Sequence, residues 1–309
     1  MVLMLRRNNA RGQNSGMPGA SDFPGGACGI VPLPAESPEF KSGDDLMRFI
    51  RRIGDVIAAS SATAGIRLDK LRPHRILLIV VNILLFLWIL ESISLTLGLA
   101  YFLTVFTIRY VFLFSSFIPN GIADRLIRRF GEERGYEIYE TATATMFFHG
   151  GAAFSCLLEA TRWNLFGAMP EYPDFLRVAG TVLSLLGFTV NIWSTLVVGV
   201  DIYYYKDLFL RRFITDFKVE GPYRFLSNPM YGVGQSAAYG AACSSGSITG
   251  VIATGLNQMM MYLFYFLIER PHIRRLLAGD AGATAAERAV EMEAMQKESQ
   301  GGFKPAEGM

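Results

Sequence analysis

Two short stretches hold the residue types best suited to chemistry. They are Gly221-Pro-Tyr-Arg-Phe-Leu-Ser-Asn-Pro-Met-Tyr231 and Leu267-Ile-Glu-Arg-Pro-His272. Asn228 followed by Pro229 reads as a helix start, with the asparagine as N-cap and the proline at the first helical position. A helix beginning there turns free N–H groups toward an anion. Arg224 stands close by and suits paired hydrogen bonds to a phosphate. Tyr223 and Phe225 offer aromatic faces to a cation, and Tyr231 is a candidate orienting group. Glu269 is a carboxylate able to hold or deprotonate a cationic group, and Arg270 beside it offers a second anion partner. His149, next to Gly150-Gly151, is a candidate proton shuttle, although a lone histidine in such a place more commonly serves packing. Taken alone, these residues describe either a pocket with anion donors, an acid and aromatic rings, or the caps and interface anchors of apolar helices.

The elements that must position them are apolar. Of 309 residues, 51% are hydrophobic and 18% charged, with a mean hydropathy of +0.30. Soluble domains carry about 25% charge. The apolar residues collect in runs long enough to cross a bilayer as helix. Ile76 to Phe117 fits a hairpin turning near Ser94–Gly98, with Glu91 and Arg109 paired or facing the interfaces. Further spans fit Ala142–Ala160 and Val178–Tyr203. Met230–Ile268 fits another hairpin, whose first half is rich in small residues and suits close packing, a ligand groove or a re-entrant segment. The expected fold is all-α, a polytopic membrane bundle of about five or six transmembrane or re-entrant helices. Residues 1–44 read as a disordered tail and 45–75 as an amphipathic, juxtamembrane segment. Residues 76–118 form the first hairpin, 119–277 the core and 278–309 a polar tail.

Charge sets orientation more than partners. The net charge of +2, with no basic stripe, argues against a nucleic-acid partner. Basic groups instead flank the spans: Arg67 to Arg75, Arg125 to Arg134, Lys206 to Arg224 and Arg270 to Arg275. The positive-inside rule places both termini and the two chemical stretches on the cytoplasmic side. Cys28, Cys156 and Cys243 are too scattered for a disulfide framework or a zinc knuckle. Gly232-Val-Gly234 follows no strand, so it is not a dinucleotide fingerprint.

The stretch 221–231, with Glu269-Arg270-Pro271 about forty residues later, resembles the phosphatidylethanolamine N-methyltransferase family. Asn228-Pro229-Met230-Tyr231 matches that family's segment in full, and residues 117–131 are similar to its early amphipathic segment. Asn228 stands where the related isoprenylcysteine carboxyl methyltransferases have histidine. The resemblance covers roughly 115–277 and implies S-adenosylmethionine as methyl donor and a membrane phospholipid amine as acceptor. It implies donor binding by a Gly-x-Gly, of which Gly187-Phe188-Thr189 keeps the first glycine, and by an acidic pair, of which Glu269-Arg270 keeps the first acid. Asn228, Pro229, Met230 and Tyr231 join that donor set, with Tyr223 and Arg224 toward the lipid. The family's usual eukaryotic location is the endoplasmic reticulum, and homo-oligomerisation is left open. Two other readings remain: an NADPH-dependent sterol reductase, disfavoured by Asn228 and Met230, and a non-catalytic membrane scaffold or transporter.

Overall fold

The computed structural model describes residues 43–162, 174–214, 220–226 and 228–276. The Gly- and Pro-rich N-terminal tail, the loop around Glu171, Ser227 and the polar C-terminal tail lie outside the described residues. The described elements are helices: α1 (Gly43–Thr63), α2 (Pro73–Glu91), α3 (Leu95–Phe117), α4 (Ile122–Phe130), α5 (Glu132–Ala160), α6 (Asp174–Val198), α7 (Val200–Tyr203), α8 (Lys206–Leu210), α9 (Ser236–Ser244) and α10 (Ile248–Leu276). Short 3-10 turns form at Leu68–Lys70, Gly221–Arg224 and Val233–Gln235.

Helices α2, α3, α6 and α10 are long and apolar enough to cross a bilayer. Their outer faces present Leu77, Leu84, Trp88, Val111, Val182 and Phe188 to the surroundings. An apolar surface this continuous suits hydrocarbon rather than water. The helices also satisfy their own backbone groups, as a spanning segment must. The expected all-α membrane bundle is the fold observed.

The sequence suggested about five or six membrane segments, and two of them differ in kind from the four above. The span over 142–160 falls within α5, which carries His149, Glu159 and threonines whose hydroxyls return to the helix backbone. Helices α2, α3, α4 and α10 all pack on it, so much of it faces protein, although Ser155 and Glu159 toward its end are exposed. The small-residue half of 230–268 becomes α9, whose 9 residues rise only about 13 Å. That is too short to cross. It lies along α6, where backbone meets backbone. A Cβ on Gly180 would stand 2.7 Å from the Gly240 carbonyl oxygen, and one on Gly187 would stand 2.1 Å from the Ala237 nitrogen. Small residues here permit close helix packing.

The first hairpin turns at residues 92–94, where the Ser94 side chain caps α3 by accepting from the Leu97 N–H at 3.2 Å. Gly98 is already helical and packs on Ala160. Glu91 is exposed at the end of α2. Arg109 lies elsewhere, over the Phe147 ring at 4.8 Å, so of the two arrangements expected, paired or facing the interfaces, the pair is not formed. Helix α6 stops at Val198, short of Tyr203, because Gly199 takes a left-handed φ of 88°.

A buried ionic cluster ties the juxtamembrane segment to the bundle. Glu140 is 1% exposed and accepts from Arg67, from Lys70 at 2.9 Å and from Arg75 at 3.1 Å. Asp201 accepts from Arg67 at 2.9 Å, Lys70 at 3.0 Å and Lys206 at 2.8 Å. Burial alone would raise the Asp201 carboxyl, but these donors hold it below the usual carboxylate range. Helix α1 leaves Met47, Phe49, Ile50, Ile53 and Ile57 exposed, a pattern suited to a bilayer surface.

Candidate active site

Residues 228–235 do not begin a helix as the Asn-Pro pair suggests. The Asn228 side chain accepts from the Tyr231 N–H at 3.3 Å, and its carbonyl accepts from the Gly232 N–H at 3.0 Å. The Gly234 N–H donates to the Pro229 carbonyl at 2.7 Å, and regular helix starts only at Ser236. Glycines at 232 and 234 lower helix propensity here. A Cβ on Gly234 would also stand 2.8 Å from the Asn191 Oδ1. The result is a compact turn that buries Pro229 and aims Tyr231 at α10.

Helix α10 answers with an irregularity of its own. Pro271 lacks the N–H an α-helix needs and crowds the preceding turn. Immediately upstream, Tyr265–Glu269 widens into a π turn. Glu269 ends that turn, and its Oε2 accepts from the Tyr231 hydroxyl at 3.0 Å. Burial pushes the Tyr231 hydroxyl well above the ordinary phenol range, and the charge of Glu269 adds to the shift. Tyr231 therefore keeps its proton and remains a donor to the carboxylate.

Both groups line a cavity of about 380 Å³ enclosed by α3, α5, α6, α8 and α10. That volume lies within the range of small-ligand pockets, about 300–1,000 Å³. Its rings include Phe106, Phe147, Tyr205, Tyr223 and Tyr265. Its polar wall is held in place by side-chain amides. The Gln258 Nε2 donates to the Tyr231 carbonyl at 3.0 Å, and the Asn257 Nδ2 donates to the Gln235 Oε1 at 3.3 Å. The Tyr110 hydroxyl donates to the Asn257 Oδ1 at 2.9 Å. The Asn191 Nδ2 donates to the Gly234 carbonyl at 3.3 Å, joining α6 to the turn.

Of the residues expected from the sequence, Tyr223, Asn228, Met230, Tyr231 and Glu269 meet in this cavity, with Pro229 buried behind them. The others lie elsewhere. His149 has both ring nitrogens engaged, Nδ1 with the Tyr101 hydroxyl at 2.6 Å and Nε2 with the Asn82 Oδ1 at 3.3 Å. It lines a second hollow with Arg134 and Glu137. Gly187 is buried against α9, while Phe188 and Thr189 face outward. Arg270 leans over Phe266 at 5.7 Å. Arg224 and Phe225 are exposed.

Among the polar lining residues not assigned to the site from the sequence are Arg109, Asn191, Asn257 and His272. The first three did carry a signal, since each is a polar group inside an apolar run. Asn191 lies one helical turn beyond Gly187, on the same face. Arg109 reaches the cavity from α3, and its Nε is buried with no hydrogen-bond partner among the described residues. Among the described residues no carboxylate forms a salt bridge with it.

The bundle and its pocket define an integral membrane protein with a polar, aromatic-walled site between helices. Over residues 175–279 the chain matches the phospholipid methyltransferase family model. That segment contains the whole turn 221–231 and Glu269, so the resemblance read from the sequence is to the family the comparison finds. The chain is similar to a phosphatidylethanolamine N-methyltransferase of Malassezia globosa, 34% identical over 103 residues, 32% of this chain and 11% of that protein. It is similar to one of Clavispora lusitaniae, 25% identical over 140 residues, 45% of this chain and 16% of that protein. It is also similar to phosphatidylethanolamine N-methyltransferase B of Dictyostelium discoideum, 31% identical over 104 residues, 33% of this chain. The match spans 51% of the length of the Dictyostelium protein and a far smaller part of the two fungal ones. No solved structure matches the chain.

Proposed function

We propose that this chain N-methylates phosphatidylethanolamine, or its mono- and dimethyl forms, toward phosphatidylcholine, with S-adenosylmethionine as methyl donor. The Tyr231–Glu269 hydrogen bond carries the reading, because it joins the two chemical stretches of the family-matched segment at one buried cavity. The residues present fit such a donor and such an acceptor. A carboxylate and aromatic faces suit a sulfonium and an ammonium alike. The amides of Asn191, Asn228, Gln235 and Asn257 offer hydrogen bonds, and Arg109 offers a guanidinium to a carboxylate or phosphate.

When bound, the donor supplies an electrophilic methyl group. The chain's own task is largely to align the amine with it. Glu269, fixed by Tyr231, attracts cationic centres to this end of the cavity. Tyr205, Tyr223 and Tyr265 face the growing positive charge. Arg109 takes an anionic group inside the cavity, and Arg224, exposed beside Tyr223, meets the headgroup phosphate where it enters. The same reading places the chain in the endoplasmic reticulum, with termini and site on the cytoplasmic side. The basic residues around the cavity end support that orientation.

The test is transfer of labelled methyl from S-adenosylmethionine in membranes expressing the chain. Phosphatidylethanolamine and its mono- and dimethyl forms are supplied separately, with Glu269→Ala and Asn228→Ala alongside. Labelled lipid from the wild type and at least about 100-fold less from both variants is expected. Labelled lipid from all three keeps the reaction and discards the site. No label from folded wild type overturns the reaction, and NADPH consumption with a sterol substrate becomes the next assay.

A further inference from the structure

The amine of a phospholipid headgroup is an ammonium near neutral pH and must lose a proton before it attacks. His149, the proton shuttle expected from the sequence, lies outside the cavity, with its ring nitrogens hydrogen-bonded to Tyr101 and Asn82. Another histidine stands inside. His272 lines the same cavity as Glu269, three residues further along α10 and on the same face. It is 8% exposed, and its Nε2 is buried with no hydrogen-bond partner among the described residues. Its ring lies against the backbone of Asp207, in α8, an acceptor that favours a proton on the ring nitrogen facing it.

That arrangement favours one tautomer. A ring N–H donating to the Asp207 carbonyl leaves the other nitrogen of a neutral imidazole as a bare lone pair. The bare nitrogen is Nε2, the one with no partner among the described residues. A buried lone pair without a donor is costly to leave unsatisfied, so it points to a ligand that brings a hydrogen.

We infer that the His272 Nε2 accepts the proton of the headgroup ammonium, making His272 the base of the methyl transfer. This rests on the methyltransferase reading above. The balance is simple. An N–H bond of the ammonium breaks, its electron pair stays on nitrogen, and Nε2 gains the proton. The amine then forms its N–C bond as the donor's C–S bond breaks, and the sulfur keeps that electron pair. The imidazolium returns its proton to water as product leaves. Glu269 holds the cationic groups in place and Tyr231 fixes Glu269.

The charged groups facing His272 are Asp207 on α8, Arg211 just beyond it, and Glu269 and Arg275 on its own helix. None of them is altered in the test. The measurement is kcat and KM for phosphatidylethanolamine against pH, in full-length protein, for wild type, His272→Asn and His272→Gln. Asparagine keeps a donor for the Asp207 carbonyl, and glutamine places an amide near Nε2, but neither is a base. Binding of S-adenosylhomocysteine to each variant reports an intact pocket.

The expected result is a fall in kcat of about 100-fold at neutral pH, with KM nearly unchanged. The loss should shrink as pH rises, because the free amine becomes available without a base. A variant that binds S-adenosylhomocysteine yet keeps wild-type kcat overturns the assignment. So does a loss equal at every pH, which marks a structural role, and so does loss of binding in both variants. Wild type that transfers no methyl group sinks the methyltransferase reading instead, a result separable from the others.

Discussion

Arg109 is the residue whose place in the molecule most changes the picture of the site. A guanidinium within an apolar helix is expensive and persists where it faces a protein interior or a bound partner. Here it rests on Phe147 and Tyr110, at 4.8 and 5.6 Å, and its Nε has no hydrogen-bond partner among the described residues. Stacking on rings leaves the donor edge of the fork free for an anion. Arg109→Gln should therefore raise KM for the anionic ligand it grips by about 10-fold or more, with Arg109→Lys intermediate. Separate KM values for donor and lipid tell which ligand that is. Equal kinetics in all three proteins would leave Arg109 a packing residue. The sequence showed the charge but not its address. Glu91 offered the obvious partner, and only the fold reveals that Phe147 on α5 lies under Arg109 while Glu91 is exposed at the far end of α2. Asn228, Tyr231 and Glu269 were legible because chain-local chemistry marks them. His272 was not, since its importance depends on α8 packing across α10.

At the scale of elements, α6 and α9 show how a family motif can be read in two ways. Gly187 was expected to touch the methyl donor. In the structure it lets α9 approach, and a Cβ there would stand 2.1 Å from the Ala237 nitrogen and 2.6 Å from the Ser236 hydroxyl oxygen. Backbone cannot yield as a flexible side chain does. Gly187→Ala should then destabilise the protein by about 1–3 kcal/mol, the usual cost of overpacking. It should lower the midpoint of thermal unfolding in detergent. Donor affinity, measured at low temperature on the folded fraction, should change little. The opposite pattern, normal unfolding with lost donor affinity, would return Gly187 to the donor site. The existence and apolar character of α2, α3, α6 and α10 were legible in the apolar runs, but their ends were not, since α6 stops at Val198 and α10 continues to Leu276. The brevity of α9 was not, because a run of small apolar residues reads the same whether it crosses or folds back. The turn at 228–235 misled for a related reason. Asn-Pro is a good helix start locally, but Asn191 and the close approach of α6 override it.

For the whole molecule, the two ends of α10 set the depth of the site. At its start Ser247 shares a buried hydrogen bond with Thr161, 2.6 Å between the hydroxyl oxygens. Toward its end Glu269 meets Tyr231, about 30 Å away along the helix axis at 1.5 Å per residue. That distance is the thickness of the hydrocarbon core. The Glu269 end of the cavity therefore lies near one face of the bilayer, at headgroup level, while its inner end reaches Ala253 and Thr254 far along α10. On the proposed reaction, a lipid amine would reach Glu269 from its own leaflet. The same face gathers Arg211 with Asp124, at 2.7 Å, and Arg212 with Glu132, at 2.6 Å. Arg162 follows α5 at the opposite face, beside Thr161. A cysteine placed at each end would report the orientation. In sealed microsomes, with the native cysteines replaced, Arg212→Cys should react with a membrane-impermeant maleimide. Arg162→Cys should react only after the membrane is opened. Reaction of both before opening would remove the bilayer from between them and overturn the membrane depth assigned to the cavity. The reverse pattern would keep that depth but turn the site toward the lumen, where it would need methyl donor delivered across the membrane.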